Sequence, residues 1–386
     1  MSPVGGLHHV MSRDPIAISE PADPLENSTL LLKDQFTTLE AAPIASPRTA
    51  DGTGSGITIT QADSGEWAIT ADGLVVDTQP SSPSWGDMGY GLSFARAQGR
   101  AVKVKVELSS TTGNRFLGWN SNVTGTVLGS TKLGAGLLNA GGEIRVYSGL
   151  SGVDLGTVQY EAAGTNQVMS IMQSTGGLVY FKGGDLADWS LLWIDRDGVE
   201  ANMYAGFGDY GSGSPEYKYI SVYDLDEFST LNINKTDEIV GSISDGTTFT
   251  HAANFHAVVD FDTLPTGGLL TRILFRKQDG SNWWEIRINS SGDVMLYEVV
   301  ASSGTQHAIA SAAVSGGEEL QFRADDETIS IWIDGSLAFT PYTGAANFKT
   351  ETTGERFAGS SGGAISDLLV YPISPSAAIK TVFEAA

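Results

Sequence analysis

The chain has 386 residues, 41% of them hydrophobic, and a formal net charge of −23; this length supports two or three domains with their own cores. That charge sets the chain against any partner held through phosphates, whether nucleic acid or an anionic bilayer. There is no cysteine, so disulfides and thiolate metal sites are excluded, and no apolar run approaches the ~18 residues needed to span a membrane.

Residues 1–29 carry Pro3, Pro15, Pro21 and Pro24 without a sustained period or an apolar signal-peptide core, and are expected to form an extended arm. The first folded unit is expected over 30–233. It opens with Leu30-Leu-Leu-Lys-Asp-Gln-Phe36, followed by a loop over 37–55 and short strands at 57–60, 67–70 and 74–76. Residues 101–108 alternate cleanly, with Val102, Val104, Val106 and Leu108 on one face. Further strands are expected at 143–147, 168–172, 178–181, 191–194 and 217–223. Trp85, Asp87 and Tyr90 fall in a Ser/Gly-rich stretch that reads as a covering loop.

The second unit is expected over 234–386, with strands at 255–261, 269–276, 283–288, 294–300, 319–323, 328–333 and 364–371. The Ala-rich run 307–313 reads as a short helix. Gly is frequent, 47 residues, and many fall in pairs between apolar alternations, where hairpins need positive φ.

Two phrases recur. Residues 176–184 read like 328–336, and 220–225 read like 368–373, with Tyr223 matched to Tyr371. Two copies of one all-β module in tandem are therefore expected.

The alternation also names outward side chains. Ile329, Ile331 and Ile333 share a buried face, so Trp332 points the other way; Trp284, Ile286 and Ile288 do the same, leaving Trp283, Glu285 and Arg287 outward. Trp283, Glu285, Arg287 and Trp332 are the candidate ligand or partner surface, because aromatic faces suit sugar rings and planar polar groups suit hydroxyls or a protein. The plainer reading places both tryptophans under a loop, the arm or the neighbouring unit.

Catalytic signals are weak. Asp224 and Asp226 share a strand face, but the matching 372–375 carries no acid. The five histidines make no metal motif; His251 and His256 are expected on opposite faces. Gly359-Ser-Ser-Gly-Gly363 matches a nucleophile elbow, yet strand sequence follows it where a helix is needed. No cofactor and no catalytic residue are expected. Calcium candidates are the loop aspartates Asp279 and Asp293.

In the second unit, 274–288, 294–297, 329–335 and 364–371 resemble the laminin-G, or concanavalin-A-like, superfamily of jelly-roll sandwiches. With the opening phrase at 31–36, the chain is similar to modules in structural proteins of tailed bacteriophages. The likeness spans about residues 30–375 and is looser in the first unit, where 140–146 has Ala140-Gly-Gly where the second has Asn282-Trp-Trp. It implies an all-β fold of two tandem jelly-roll sandwiches. It also implies a non-enzymatic virion protein of tail, fibre or capsid decoration, a homo-oligomer contacting other virion proteins and a host-surface glycan. A carbohydrate-binding, lectin-like protein is the alternative.

Overall fold

The computed structural model describes residues 236–358 and 363–374 throughout, and within 29–224 the strands and a few connections between them. The expected arm, Trp85, Asp226, Glu227 and residues 359–362 lie outside the described residues.

Every regular element among the described residues is a strand. The first run is β1 (Thr29–Asp34), β2 (Ile59–Gln61), β3 (Glu66–Thr70), β4 (Gly73–Thr78), β5 (Gly86–Ala95), β6 (Arg100–Leu108), β7 (Asn114–Asn120), β8 (Gly134–Ala140), β9 (Glu143–Ser148), β10 (Thr165–Met172), β11 (Leu178–Gly183), β12 (Ser190–Asp195), β13 (Asn202–Tyr210) and β14 (Pro215–Asp224). The second is β15 (Asp237–Ser242), β16 (Thr248–Thr250), β17 (Phe255–Phe261), β18 (Leu270–Phe275), β19 (Trp283–Asn289), β20 (Val294–Val300), β21 (Ser303–Ala310), β22 (Glu318–Asp325), β23 (Thr328–Ile333), β24 (Ser336–Leu337), β25 (Thr353–Ala358) and β26 (Ile365–Pro372).

The first run makes two sheets. Sheet A has the order β12-β11-β10-β6-β14-β4-β3 with β1 also on β14, and sheet B the order β2-β5-β13-β7-β8-β9. The second run makes sheet C, β15-β26-β17-β22-β23-β24, and sheet D, β16-β25-β18-β19-β20-β21. The two runs are wired alike. β1, β6, β10, β11, β12 and β14 occupy the places of β15, β17, β22, β23, β24 and β26, while β5, β7, β8, β9 and β13 match β16, β18, β19, β20 and β25. Tyr223 lies opposite Ala101 as Tyr371 lies opposite His256. Followed across the ladder, Val179 then falls level with Ser330, so Tyr180 sits level with Ile331. The phrase-level match of 176–184 with 328–336 is therefore one residue out.

Sheets C and D close on a shared core containing Val259, Phe322 and Ile331 from one side and Ile273, Trp284, Ile286 and Leu296 from the other. Phe275 of sheet D meets Phe255 and Phe322 of sheet C at ring-centroid distances of 5.9 and 5.6 Å. The Asp334-Gly335 turn has φ of 46° and 77°, the mirror-image turn that follows the twist of a two-residue hairpin.

Two local expectations fail. The run 307–313 is not a helix: its first part belongs to β21, joined to β20 by Ala301-Ser302, with φ of 49° and 65°. That turn lacks the glycine that signals a hairpin in sequence. Asp87 and Tyr90 lie on strand β5, paired with Gly208 and Ile59, not in a loop. Asp224 closes β14 opposite Arg100.

Candidate functional site

The pleat of β19 sends Trp284, Ile286 and Ile288 into the core and Trp283, Glu285 and Arg287 to the outer face of sheet D. Register then supplies neighbours from other strands. Glu285 stands between Leu274 of β18 and Tyr297 of β20; Arg287 stands between Arg272 and Met295. Arg272 and Tyr297 were not singled out in the sequence. Their signal is the pairing register, which no single strand carries.

These side chains interlock. Glu285 Oε1 accepts a hydrogen bond from Arg287 Nε and ion-pairs with its Nη2, and Arg272 Nη1 lies 3.7 Å from the other oxygen. The Arg287 guanidinium carbon sits 3.7 Å from the Tyr297 ring centroid, a cation–π stack, and the Tyr297 hydroxyl donates to Gln306 Oε1 at 2.8 Å. A Cβ at Gly304 would approach Arg287 Nη2 to 2.9 Å, so the glycine makes room for the guanidinium. The Glu285 side chain is 0% exposed although it projects from an outer face. Burial lowers the pKa of Arg272 and the like charge of Arg287 acts the same way, against the attraction of Glu285 and Asp245. Two polar atoms here, Glu285 Oε2 and Trp283 Nε1, are shut off from solvent without a hydrogen-bond partner.

Trp332 is elsewhere. It projects outward from β23 as the alternation requires, but from sheet C, on the opposite side of the second sandwich, and is 4% exposed. Trp193 of β12 covers it edge-on, with ring centroids 5.2 Å apart, and meets His256 at 5.4 Å. Arg323 Nη1 donates to Leu191 O and Gln321 Nε2 to Ile194 O, both at 2.7 Å, while Leu191 N donates to Ile373 O. The expected four-residue surface is thus divided: three members share a face and the fourth is buried where the two sandwiches meet.

His256 is part of that junction. Its Nε2 lies 2.6 Å from Gln321 Oε1, an acceptor because Gln321 Nε2 is spent on Ile194 O, so the proton sits on Nε2. Burial, then Arg323, lowers its pKa to about 3. His251 lies apart, stacked on Phe255 at 4.1 Å, donating through Nδ1 to Ala252 O and accepting the Arg276 amide. Burial takes its pKa to about 4.

The calcium candidates have other partners. Asp279 accepts from Ser281 N and Asn282 Nδ2, and Asp293 from Ala312 N and Asn289 Nδ2, bonds that hold both carboxyls below their usual range. Among the described residues no three His, Asp or Glu side chains converge for a metal, and no helix is long and apolar enough to cross a membrane.

No protein-family model matches the chain, and no curated protein matches its sequence. Among solved structures it is similar to sheep galectin-11 in complex with glycerol, at 10% identity and a TM-score of 0.28, over 33% of this chain and 99% of that one. It is also similar to the Ruminococcus gnavus IT-sialidase CBM40 bound to alpha2,3 sialyllactose, at 14% identity and a TM-score of 0.28, over 38% of this chain and 97% of that one. A third is the leech intramolecular trans-sialidase, at 13% identity and a TM-score of 0.28, over 38% of this chain but only 27% of that one. At these identities and scores the likenesses say nothing of what this chain binds.

Proposed function

We propose that the chain is a non-catalytic, lectin-like protein that binds a glycan on the outer face of sheet D. The observation that supports this is Arg287, a guanidinium fixed on one side by Glu285 and on the other by the Tyr297 ring, on the face that also carries Trp283. A planar donor held in place before binding loses little freedom when it meets a ligand's hydroxyl or carboxylate pair, and an indole on the same face, four residues along the strand, offers an apolar plate for a sugar ring. The test is a glycan array with the full chain, Trp283→Ala and Arg287→Ala. A defined glycan bound by the parent and lost in both variants is expected. A blank array from folded parent protein would sink the reading.

The second reading is a virion structural protein acting in assembly or host attachment. The buried junction between the sandwiches favours it, since a rigid pair of modules suits a part that transmits position. Deleting 1–28 and measuring incorporation into particles tests docking through the arm; unchanged incorporation would sink that claim.

A further inference from the structure

We propose that the outer edge of β21 is a self-association surface, on which a second copy of this chain docks antiparallel, edge to edge, about a two-fold axis. A strand at a sheet edge presents unpaired N–H and C=O groups, and proteins that must stay apart blunt such edges with charge, shortness or bulges. The second sandwich has four edges. β24 and β16 are two and three residues long. β15 carries Asp237 and Glu238 and is broken by an irregularity before Ser242. β21 differs from all of these: it is eight residues long, and among the described residues it pairs only with β20.

Charge singles out the same edge. No Asp, Glu, Lys or Arg occurs anywhere in 299–317, in a chain whose net charge is −23. Two copies of so acidic a protein repel over most of their surfaces. Along β21 there is no charge to oppose contact.

Apolar exposure marks both ends of the strand. Val300, just before the turn into β21, is 44% exposed, and Ile309, near its far end, is 45% exposed. An antiparallel two-fold contact brings the start of each strand to the end of the other. An axis through the middle of 303–306 therefore pairs Ser303 of each copy with Gln306 of the other and Gly304 with Thr305, so one edge complements itself, and it carries each Ile309 past the Ala301-Ser302 turn of the other copy. The strand does carry one irregularity, at His307. That side chain is turned inward, 4.4 Å from the Tyr342 ring and 5.2 Å from Trp284, and leaves 303–306 as the flat pairing stretch. The first sandwich has no counterpart of β21 among the described residues, so the surface belongs to one module of the pair.

The experiment is sedimentation equilibrium of the full chain over a concentration series, beside a Thr305→Lys/Ile309→Lys double variant and Val240→Lys on β15, with circular dichroism to confirm folding. The parent and Val240→Lys are expected to dimerise alike. The double variant, with four lysines at the two-fold, is expected to dissociate on the order of 100-fold more readily while remaining folded. A monomeric parent at every concentration, a dimer that survives the double variant, or a dimer lost equally in Val240→Lys would each overturn the proposal.

Discussion

On the outer face of sheet C, Trp332 lies beneath Trp193, His256 meets the same ring, and Gln321 and Arg323 donate to carbonyls of the first sandwich. On the outer face of sheet D, Trp283 stands in line with Glu285 and Arg287, whose partners all come from sheet D itself. Both tryptophans alternate with core residues, and both have polar neighbours. The difference is what covers each face: an edge strand of the other module on one side, side chains of adjacent strands in the same sheet on the other. An outward aromatic thus marks a surface with a task, and register and neighbouring modules decide which task.

The comparison can be broken most severely at the junction. Trp193→Ala should cost about 3–5 kcal/mol and split unfolding into two transitions, because it removes the ring packed on both His256 and Trp332. Calorimetry that still shows one transition at an unchanged midpoint would refute the coupling. Acid attacks the fold by another route, through His256 at that contact and His251 away from it. His256 and His251 stay neutral in the folded chain down to about pH 3 and 4, whereas the unfolded chain takes up protons below about 6.5. Stability is therefore full above that value and falls as the pH drops, by about 2 kcal/mol per histidine at pH 5. Denaturant titrations at pH 7 and 5 should show this loss in the parent and about half of it in His256→Gln.

On the other face the effects are smaller. Glu285→Gln leaves two guanidiniums without their shared anion and should cost about 2 kcal/mol, less than a fully buried pair because both arginines keep some contact with water. Arg287→Ala takes the hydrogen-bonding partner from the buried Glu285 carboxylate, leaving Arg272 at 3.7 Å, and should cost a similar ~2 kcal/mol while abolishing glycan capture on the array. A variant that binds as the parent does would move the site away from this face.

Much of the architecture was legible. The alternation in 328–333 and 283–288 correctly assigns Ile329, Ile331, Trp284, Ile286 and Ile288 to the core. The recurrence around Tyr223 and Tyr371 marks strands in equivalent places, since the last strand of each run preserves a phrase long enough to recognise. What failed had local causes. β21 has helix-favouring alanines and a hairpin turn without glycine, so nothing in its own residues announces pairing. The slip of one residue at 176–184 arose because two short apolar phrases can be matched in either phase, and only the ladder fixes which. Of the candidate surface, the cluster of Trp283, Glu285 and Arg287 was readable from one strand, whereas Arg272, Tyr297 and the cover over Trp332 come from residues distant in sequence.

The carbonyls of Leu191 and Ile194 belong to the border of sheet A, and the side chains that seal them come from the other half of the chain. Severing the protein between the halves would strip that seal from one fragment and bare an indole and an imidazole on the other. Each piece would then carry a sticky margin that the intact polypeptide keeps hidden, so solubility itself depends on both halves being made as one.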